Sequence, residues 1–327
     1  MPCAGIGFSD KIACRCAYDR PVQTRSEVNI IMVLEGIISA MLTPLNEDES
    51  INEQQLRVQV NRQIQAGVAA VFCLGTNGEF YAFDFEEKKK IIDIVVEETA
   101  GRVPVLAGTG CITTAETVAL TSYAKQAGVD AVSVISPYFA GISQDGLYQH
   151  FSRVATECEL PVIMYNIPAR TGVNISWQTV KKLAEHPYII GIKDSSGNFD
   201  NTLRYIEETP DDFIVLCGND SLILWTLMAG GNGGISGVTN IYPEHMVKIY
   251  KLFKQGDLKA ARKAQDDIRC IRDCFAGYNP NSVVKRATAL LGYDVGPARA
   301  PFAIQDPALD EKLKKAFAAF AQLTGEA

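Results

Sequence analysis

From residue 35 onward the chain alternates short apolar runs with longer amphipathic ones. The short runs, "GIISAMLTP", "VAAVFCLGT", "VPVLAGTG", "VDAVSVISP", "PVIMYNIP", "IIGIKDSS", "FIVLCGND" and "GGISGVTN", have the length and continuous apolarity of strands buried on both faces. Between them, "EEKKKIIDIVVEETAG", "TAETVALTSYAKQAG", "LYQHFSRVATECEL", "SWQTVKKLAEH" and "HMVKIYKLFKQG" repeat their apolar positions every three to four residues, as helices do. Eight strand–helix units in a row predict an α/β protein, a (β/α)8 TIM barrel. An open doubly wound sheet is the competing architecture, because periodicity alone does not show closure. The absence of a GxGxxG after the first strand speaks against it.

Beyond residue 257, "LKAARKAQDDIRCIRDCFAGY", "NSVVKRATALLG" and "LDEKLKKAFAAFAQL" read as helices with no strands between them. The expected organisation is therefore a barrel over residues 33–256 and a C-terminal helical extension over 257–327. Residues 1–32 carry Lys11, Arg15, Arg20 and Arg25 offset by acids, without the apolar core of a secretory signal, and are expected to form a disordered tail.

At 327 residues and 47% hydrophobic, the chain is long enough for one barrel of about 250 residues plus an extension. With 31 basic against 38 acidic residues, and no dense Lys/Arg run, neither nucleic acid nor an anionic membrane is an expected partner. No apolar stretch approaches the roughly 20 residues that span a bilayer. The nine cysteines (3, 14, 16, 73, 111, 158, 217, 270 and 274) are scattered and form no CxxC pairs, which suggests reduced thiols in a cytoplasm.

Active sites of such barrels lie at the carboxyl ends of the strands, where this chain has Ser39, Thr43, Thr76, Asn77, Glu79, Ser136, Tyr138, Tyr165, Asn166, Arg170, Lys193, Asp194, Asn219, Asp220, Ser236 and Thr239. Only one is a lysine. In "YIIGIKDSSGN" an apolar strand runs into Lys193, an ammonium that is costly to bury unless it is paired or neutral. A salt bridge to a carboxylate is one account. The other is a desolvated amine that attacks a carbonyl and forms a Schiff base.

Three further stretches face the same end. In "YNIPARTG", Tyr165 is either an aromatic core residue or a phenol that shuttles protons for an imine-forming amine. Arg170 is either a surface arginine or a guanidinium placed to hold a substrate carboxylate. In "GTNGE" the Asn-Gly pair is a generic turn signal. Set between a buried strand and a helix, it also offers backbone N–H groups beside Thr76 and Asn77 to a small carboxylate. The glycines of "AGGNGGISG" permit close backbone approach, either to a ligand or within tight turns.

Taken in order and spacing, "GTNGE", "SPYF", "YNIPARTG", "GIKDSSGN" and "GGISGVTN" resemble the dihydrodipicolinate synthase/N-acetylneuraminate lyase family of class I aldolases, over roughly residues 33 to 325. The resemblance implies a lysine Schiff-base lyase or synthase that makes or breaks a C–C bond with pyruvate, or another 2-oxo acid, as donor or product, and an aldehyde as the other partner. It implies that Lys193 is the Schiff-base lysine, Tyr165 the proton-transfer phenol and Thr76 a relay and binding residue. Thr76, Asn77, Gly218 and Ile235 fall at substrate-contacting positions, and Arg170 at that of the acceptor carboxylate. It further implies no metal, no organic cofactor, and a homotetramer built as a dimer of dimers.

Departures divide the family's functions. Asn77 stands where the synthases carry a second threonine. Next to Tyr138, at the position from which the synthases offer a relay tyrosine to the neighbouring subunit, this chain has Phe139, which cannot relay a proton. Phe80, Phe85 and Lys88 replace the small and imidazole residues of lysine-inhibited members. Arg170 favours a synthase acting on aspartate semialdehyde; Phe139 and Asn77 favour an aldolase or dehydratase acting on a 2-keto-3-deoxy sugar acid. A non-catalytic carboxylate-binding barrel is the reading from another class. With only His150, His186 and His245, dispersed along the chain, a histidine metal site has little material.

Overall fold

The computed structural model describes residues 34–325. The expected tail lies outside these residues, and the expected barrel start at 33 falls just before them. Eight strands follow in order: β1 (Gly36–Ala40), β2 (Ala70–Cys73), β3 (Val105–Gly108), β4 (Ala131–Ile135), β5 (Val162–Asn166), β6 (Ile189–Asp194), β7 (Ile214–Cys217) and β8 (Gly233–Ser236). Each pairs in parallel with the next, and β8 returns to β1 with Gly36 opposite Gly233 and Ile38 opposite Ile235. That last ladder closes the barrel and rules out the open sheet.

Every strand residue is buried, which is why these segments read as unbroken apolar runs rather than alternating ones. Alternate positions, among them Ile38, Phe72, Leu106, Ala131, Ile163, Leu216 and Ile235, form one cluster that fills the barrel. The remaining strand positions pack outward against the helices.

Helices Glu53–Ala66, Phe85–Thr99, Thr114–Ala127, Gln144–Cys158, Trp177–Leu183, Phe199–Glu208, Ile223–Met228 and Pro243–Lys254 follow the eight strands, with one extra turn, Pro168–Thr171, after β5. Side-chain caps start several of them: Asp84 forms a capping box with Glu87, and Thr113, Ser143 and Ser176 each accept from an N–H in the first turn.

After the barrel come helices Leu258–Asp267, Arg269–Arg272, Pro280–Leu290 and Pro307–Thr324, again with no strands between them. The long helix expected at 258–278 breaks near Ile268. These helices are tied to the barrel by buried polar contacts. Gln265 Nε2 donates to Asp220 O at 2.8 Å, its Oε1 accepts from Leu224 N at 3.0 Å, and Thr288 Oγ1 donates to Asn240 O at 3.0 Å. The six described cysteines are unpaired thiols. Among the described residues no helix is long and apolar enough to cross a membrane.

Candidate active site

Lys193 is the fifth residue of β6, directly opposite Tyr165 of β5 in the ladder, so both side chains enter the barrel from adjacent strands. Lys193 is 3% exposed, and its Nζ lies 4.0 Å from the centroid of the Tyr165 ring and 5.2 Å from that of Phe72. Among the described residues no carboxylate comes within ion-pair distance of it. The neighbouring Asp194 is engaged elsewhere: it accepts from Asn166 Nδ2 at 3.0 Å, Ser196 Oγ at 3.0 Å and Thr202 Oγ1 at 2.7 Å. The salt-bridge account of Lys193 therefore finds no partner among the described residues, and the amine sits against two aromatic faces.

The space for that amine depends on one glycine. A Cβ at Gly218, just past β7, would lie 1.9 Å from Ser195 Oγ and 3.0 Å from Lys193 Cε. The Tyr165 hydroxyl meets Thr76 Oγ1 at 3.1 Å. Thr76 and Asn77 form a tight turn after β2, in which Gly78 N donates to Gly75 O and Glu79 N to Thr76 O. Among the described residues the N–H groups of Thr76 and Asn77 themselves donate to no protein acceptor. Two half-buried N–H groups without a protein acceptor at a cavity wall suit an anionic ligand.

Thr76, Asn77, Tyr165, Arg170, Lys193, Gly218 and Ile235 all line one cavity of about 320 Å³. Arg170, on the Pro168–Thr171 turn, is exposed at its mouth, and its Nη2 donates to Asn279 Oδ1 at 3.3 Å. Tyr138 lines an adjoining cavity of about 210 Å³, which shares Thr76 and Arg170 with the first and is walled by Phe80, Tyr81 and Phe302. Burial pushes the Tyr138 phenol above its ordinary range and keeps it a neutral hydroxyl. Phe139 lines neither cavity. Its ring is 95% exposed, on a residue held at φ 76°.

The other polar residues at the strand ends brace the scaffold. Ser39 Oγ and Thr239 Oγ1 share a hydrogen bond of 2.9 Å, Ser236 Oγ donates to Asp220 Oδ1 at 2.5 Å, and Thr43 Oγ1 donates to Gly78 O at 2.8 Å. The glycines of "AGGNGGISG" are also explained by packing, since a Cβ at Gly233 would strike Gly36 O and one at Gly237 the Asn77 amide. Arg272, and the partner of Glu79, escaped the sequence reading. Arg272 lines the main cavity and donates to Asn219 Oδ1 at 3.1 Å; Glu79, behind the turn, is paired with Lys285. Both depend on how the C-terminal helices dock, for which the local sequence carries no signal.

The sequence pattern of the dihydrodipicolinate synthetase family matches residues 33–320. The chain belongs to that family. As a member it is an enzyme of the class that works through a lysine Schiff base. It is 43% identical to the 4-hydroxy-tetrahydrodipicolinate synthase of Methanopyrus kandleri, over 82% of this chain and 90% of that protein. With the protein of the same name from Methanoculleus marisnigri the identity is 40%, over 86% and 98%. Among solved family structures, a dihydrodipicolinate synthase of Bacillus anthracis superposes with a TM-score of 0.85 at 34% identity, covering 88% of this chain and 99% of that one. A prophage protein of E. coli belonging to the same family, solved in complex with pyruvate, gives 0.86 at 32% identity, with coverage of 88% and 99%.

Proposed function

We propose that this chain is a pyruvate-dependent synthase of the 4-hydroxy-tetrahydrodipicolinate synthase type, with Lys193 as its covalent catalyst. The observation that carries the reading is the unpaired Lys193 amine over the Tyr165 ring, with the Tyr165 hydroxyl in turn 3.1 Å from Thr76. The pyruvate carboxylate docks on the Thr76 and Asn77 N–H groups, which places the keto carbon at the lysine. The Lys193 amine adds to that carbon and one of its protons passes to the oxygen through Tyr165, giving a carbinolamine; Tyr165 then donates its own proton to the hydroxyl, which leaves as water and leaves an iminium on Lys193. Transfer of a methyl proton from that iminium to the Tyr165 phenolate gives an enamine and restores the phenol; the enamine carbon then attacks the aldehyde of the acceptor. Arg170 at the mouth holds the acceptor's carboxylate by charge-assisted hydrogen bonds. No step uses a metal or an organic cofactor.

A second reading, an aldolase or dehydratase of 2-keto-3-deoxy sugar acids, is favoured by one observation: Phe139 presents no hydroxyl where a synthase relay would need one. Residues 33–256 are proposed to form the catalytic barrel and 257–327 the helical region that completes its site. We assign the enzyme to the cytoplasm, on its unpaired thiols, and to a homotetramer of two dimers, on its resemblance to the family.

Sodium borohydride with pyruvate tests the chemistry. Hydride reduces an imine to a stable amine, so one reduced pyruvyl mass is expected, on Lys193. Absence of the adduct, or its persistence after Lys193→Ala, would remove the Schiff-base mechanism and leave a carboxylate-binding barrel.

A further inference from the structure

The turn that carries Thr76 and Asn77 ends in a residue that faces away from substrate and into the protein. Glu79 is 1% exposed and adopts φ 56°, a left-handed conformation uncommon for a glutamate. Its Oε1 accepts from Lys285 Nζ at 2.8 Å and its Oε2 from Arg299 N at 2.9 Å. Lys285 is itself 1% exposed, on the Pro280–Leu290 helix, 206 positions along the chain. Burial pulls this lysine below its ordinary range, against the opposing pull of Glu79.

Among the described residues, the Arg299 guanidinium beside Glu79 has only its Nε without a partner, so it could replace Lys285 only by giving up contacts it already makes. The Arg299 guanidinium is spent on both oxygens of Glu87 at 2.8 Å, on Ala82 O at 2.8 Å and on Glu49 O at 2.6 Å. Removing one partner of such a pair leaves the other as an uncompensated buried charge, which must find water or move. Glu79 can reach water only by shifting the turn, and the turn is short: Glu79 N is bonded to Thr76 O at 3.1 Å. The helix that carries Lys285 also walls the catalytic cavity, through Pro280, Asn281 and Val284.

We propose that Lys285 is a positioning residue for the donor carboxylate: through Glu79 it holds the Thr76–Asn77 turn in register with Lys193, so the C-terminal helices form part of the pyruvate site. This rests on the reading of Thr76 and Asn77 as the carboxylate-binding turn. It also gives the second buried lysine among the described residues a role, one that takes no part in the covalent chemistry.

The test is borohydride trapping as a function of pyruvate concentration, with thermal melting alongside, in the full chain, in Lys285→Met and in Glu79→Gln/Lys285→Met. Lys285→Met is expected to trap pyruvate on Lys193 at saturation, with the half-saturating concentration raised on the order of ten- to a hundredfold, as suits a displaced binding group. The double variant leaves no lone buried charge, and the amide oxygen it places at position 79 can still accept from Arg299 N. Its half-saturation is expected to rise less, and it carries the measurement if Lys285→Met does not fold. A variant that melts lower yet keeps the wild-type half-saturation would make the pair a fold clamp only and overturn the proposal. The two readings fail differently, because absence of any wild-type adduct would remove the Schiff-base mechanism itself.

Discussion

In the proposed mechanism little is needed at one position to use Lys193 as the nucleophile: two aromatic faces, one absent Cβ at Gly218, and, among the described residues, no carboxylate within ion-pair distance. Its candidacy was legible in the sequence because a lysine at the end of an apolar strand breaks the strand's own composition. Arg170 was legible only as a choice between surface and site, and its place at the cavity mouth turns the choice into an experiment. Arg170→Ala is expected to weaken use of a carboxylate-bearing aldehyde by about 1.5–3 kcal/mol, the worth of a hydrogen bond to a charged group, while trapping by pyruvate persists. Steady-state kinetics beside trapping will decide; equal losses in both would move the arginine to the donor site or to the fold. Phe139 raises the opposite question, whether an absent hydroxyl limits the reaction. The Thr76–Tyr165 contact is already made without it, and Asn77 alters the same site, so Phe139→Tyr is expected to change condensation with aspartate semialdehyde by less than about tenfold. A positioned acid–base group is typically worth about 10²–10⁴-fold. A gain of a hundredfold or more in that assay would show that the enzyme turns over short of one relay group.

Secondary elements reveal a different sensitivity, to acid. His150, in the Gln144–Cys158 helix, shares a 2.9 Å hydrogen bond with Thr114 Oγ1, and its Nε2 is buried with no partner among the described residues. His186 accepts Tyr188 N at Nδ1, which leaves Nε2–H to donate to Thr156 Oγ1 at 3.0 Å and fixes a neutral ring. Burial pushes both imidazoles down to about 4 from an ordinary 6.5. Between these values the unfolded chain binds more protons than the folded one, so stability is full above about pH 6.5 and falls as pH drops toward 4. At about 1.4 kcal/mol per pKa unit, roughly 3 kcal/mol per histidine is expected to be lost. Urea unfolding at a series of pH values, in wild type and in His150→Gln/His186→Gln, isolates this share from that of the carboxylates. Identical slopes would exclude the pair as its source. The elements also mark the limits of the sequence. All eight strands were visible because parallel strands buried on both faces are apolar throughout. Helix Glu53–Ala66 was not singled out, because its inward face includes the buried Gln59 and Gln63 beside Leu56 and Val60. Helix Phe199–Glu208 escaped for a similar reason, burying only Thr202 and Tyr205. Closure of the barrel rests on the β8–β1 ladder, a contact across some two hundred residues that no local window contains.

At the scale of the whole molecule the open question is why the barrel would hold an aromatic ring in water on a strained backbone. Scattered exposed apolar residues are ordinary, but a phenylalanine at φ 76° and 95% exposure combines two unfavourable features that the isolated chain does nothing to offset. Strain of that kind persists where something else over-determines it. In the proposed homotetramer the offset is burial against a second copy. A two-fold interface uses each residue twice, so a ring worth about 1.5–3 kcal/mol on burial counts for about 3–6 kcal/mol per dimer. Phe139→Gly separates the two contributions. Glycine adopts positive φ without penalty, so the variant protomer should be no less stable than wild type when unfolded at a concentration where both are dissociated. Its assembly should nevertheless weaken by about two to four orders of magnitude in dissociation constant, the equivalent of that lost burial at about 1.4 kcal/mol per tenfold. Light scattering across a dilution series is the measurement: the wild type is expected to hold the mass of four chains to low concentration, and Phe139→Gly to fall to smaller species well above it. If the variant kept the wild-type mass throughout the series, Phe139 would not be an assembly residue, and its exposed ring would have to be explained within the single chain.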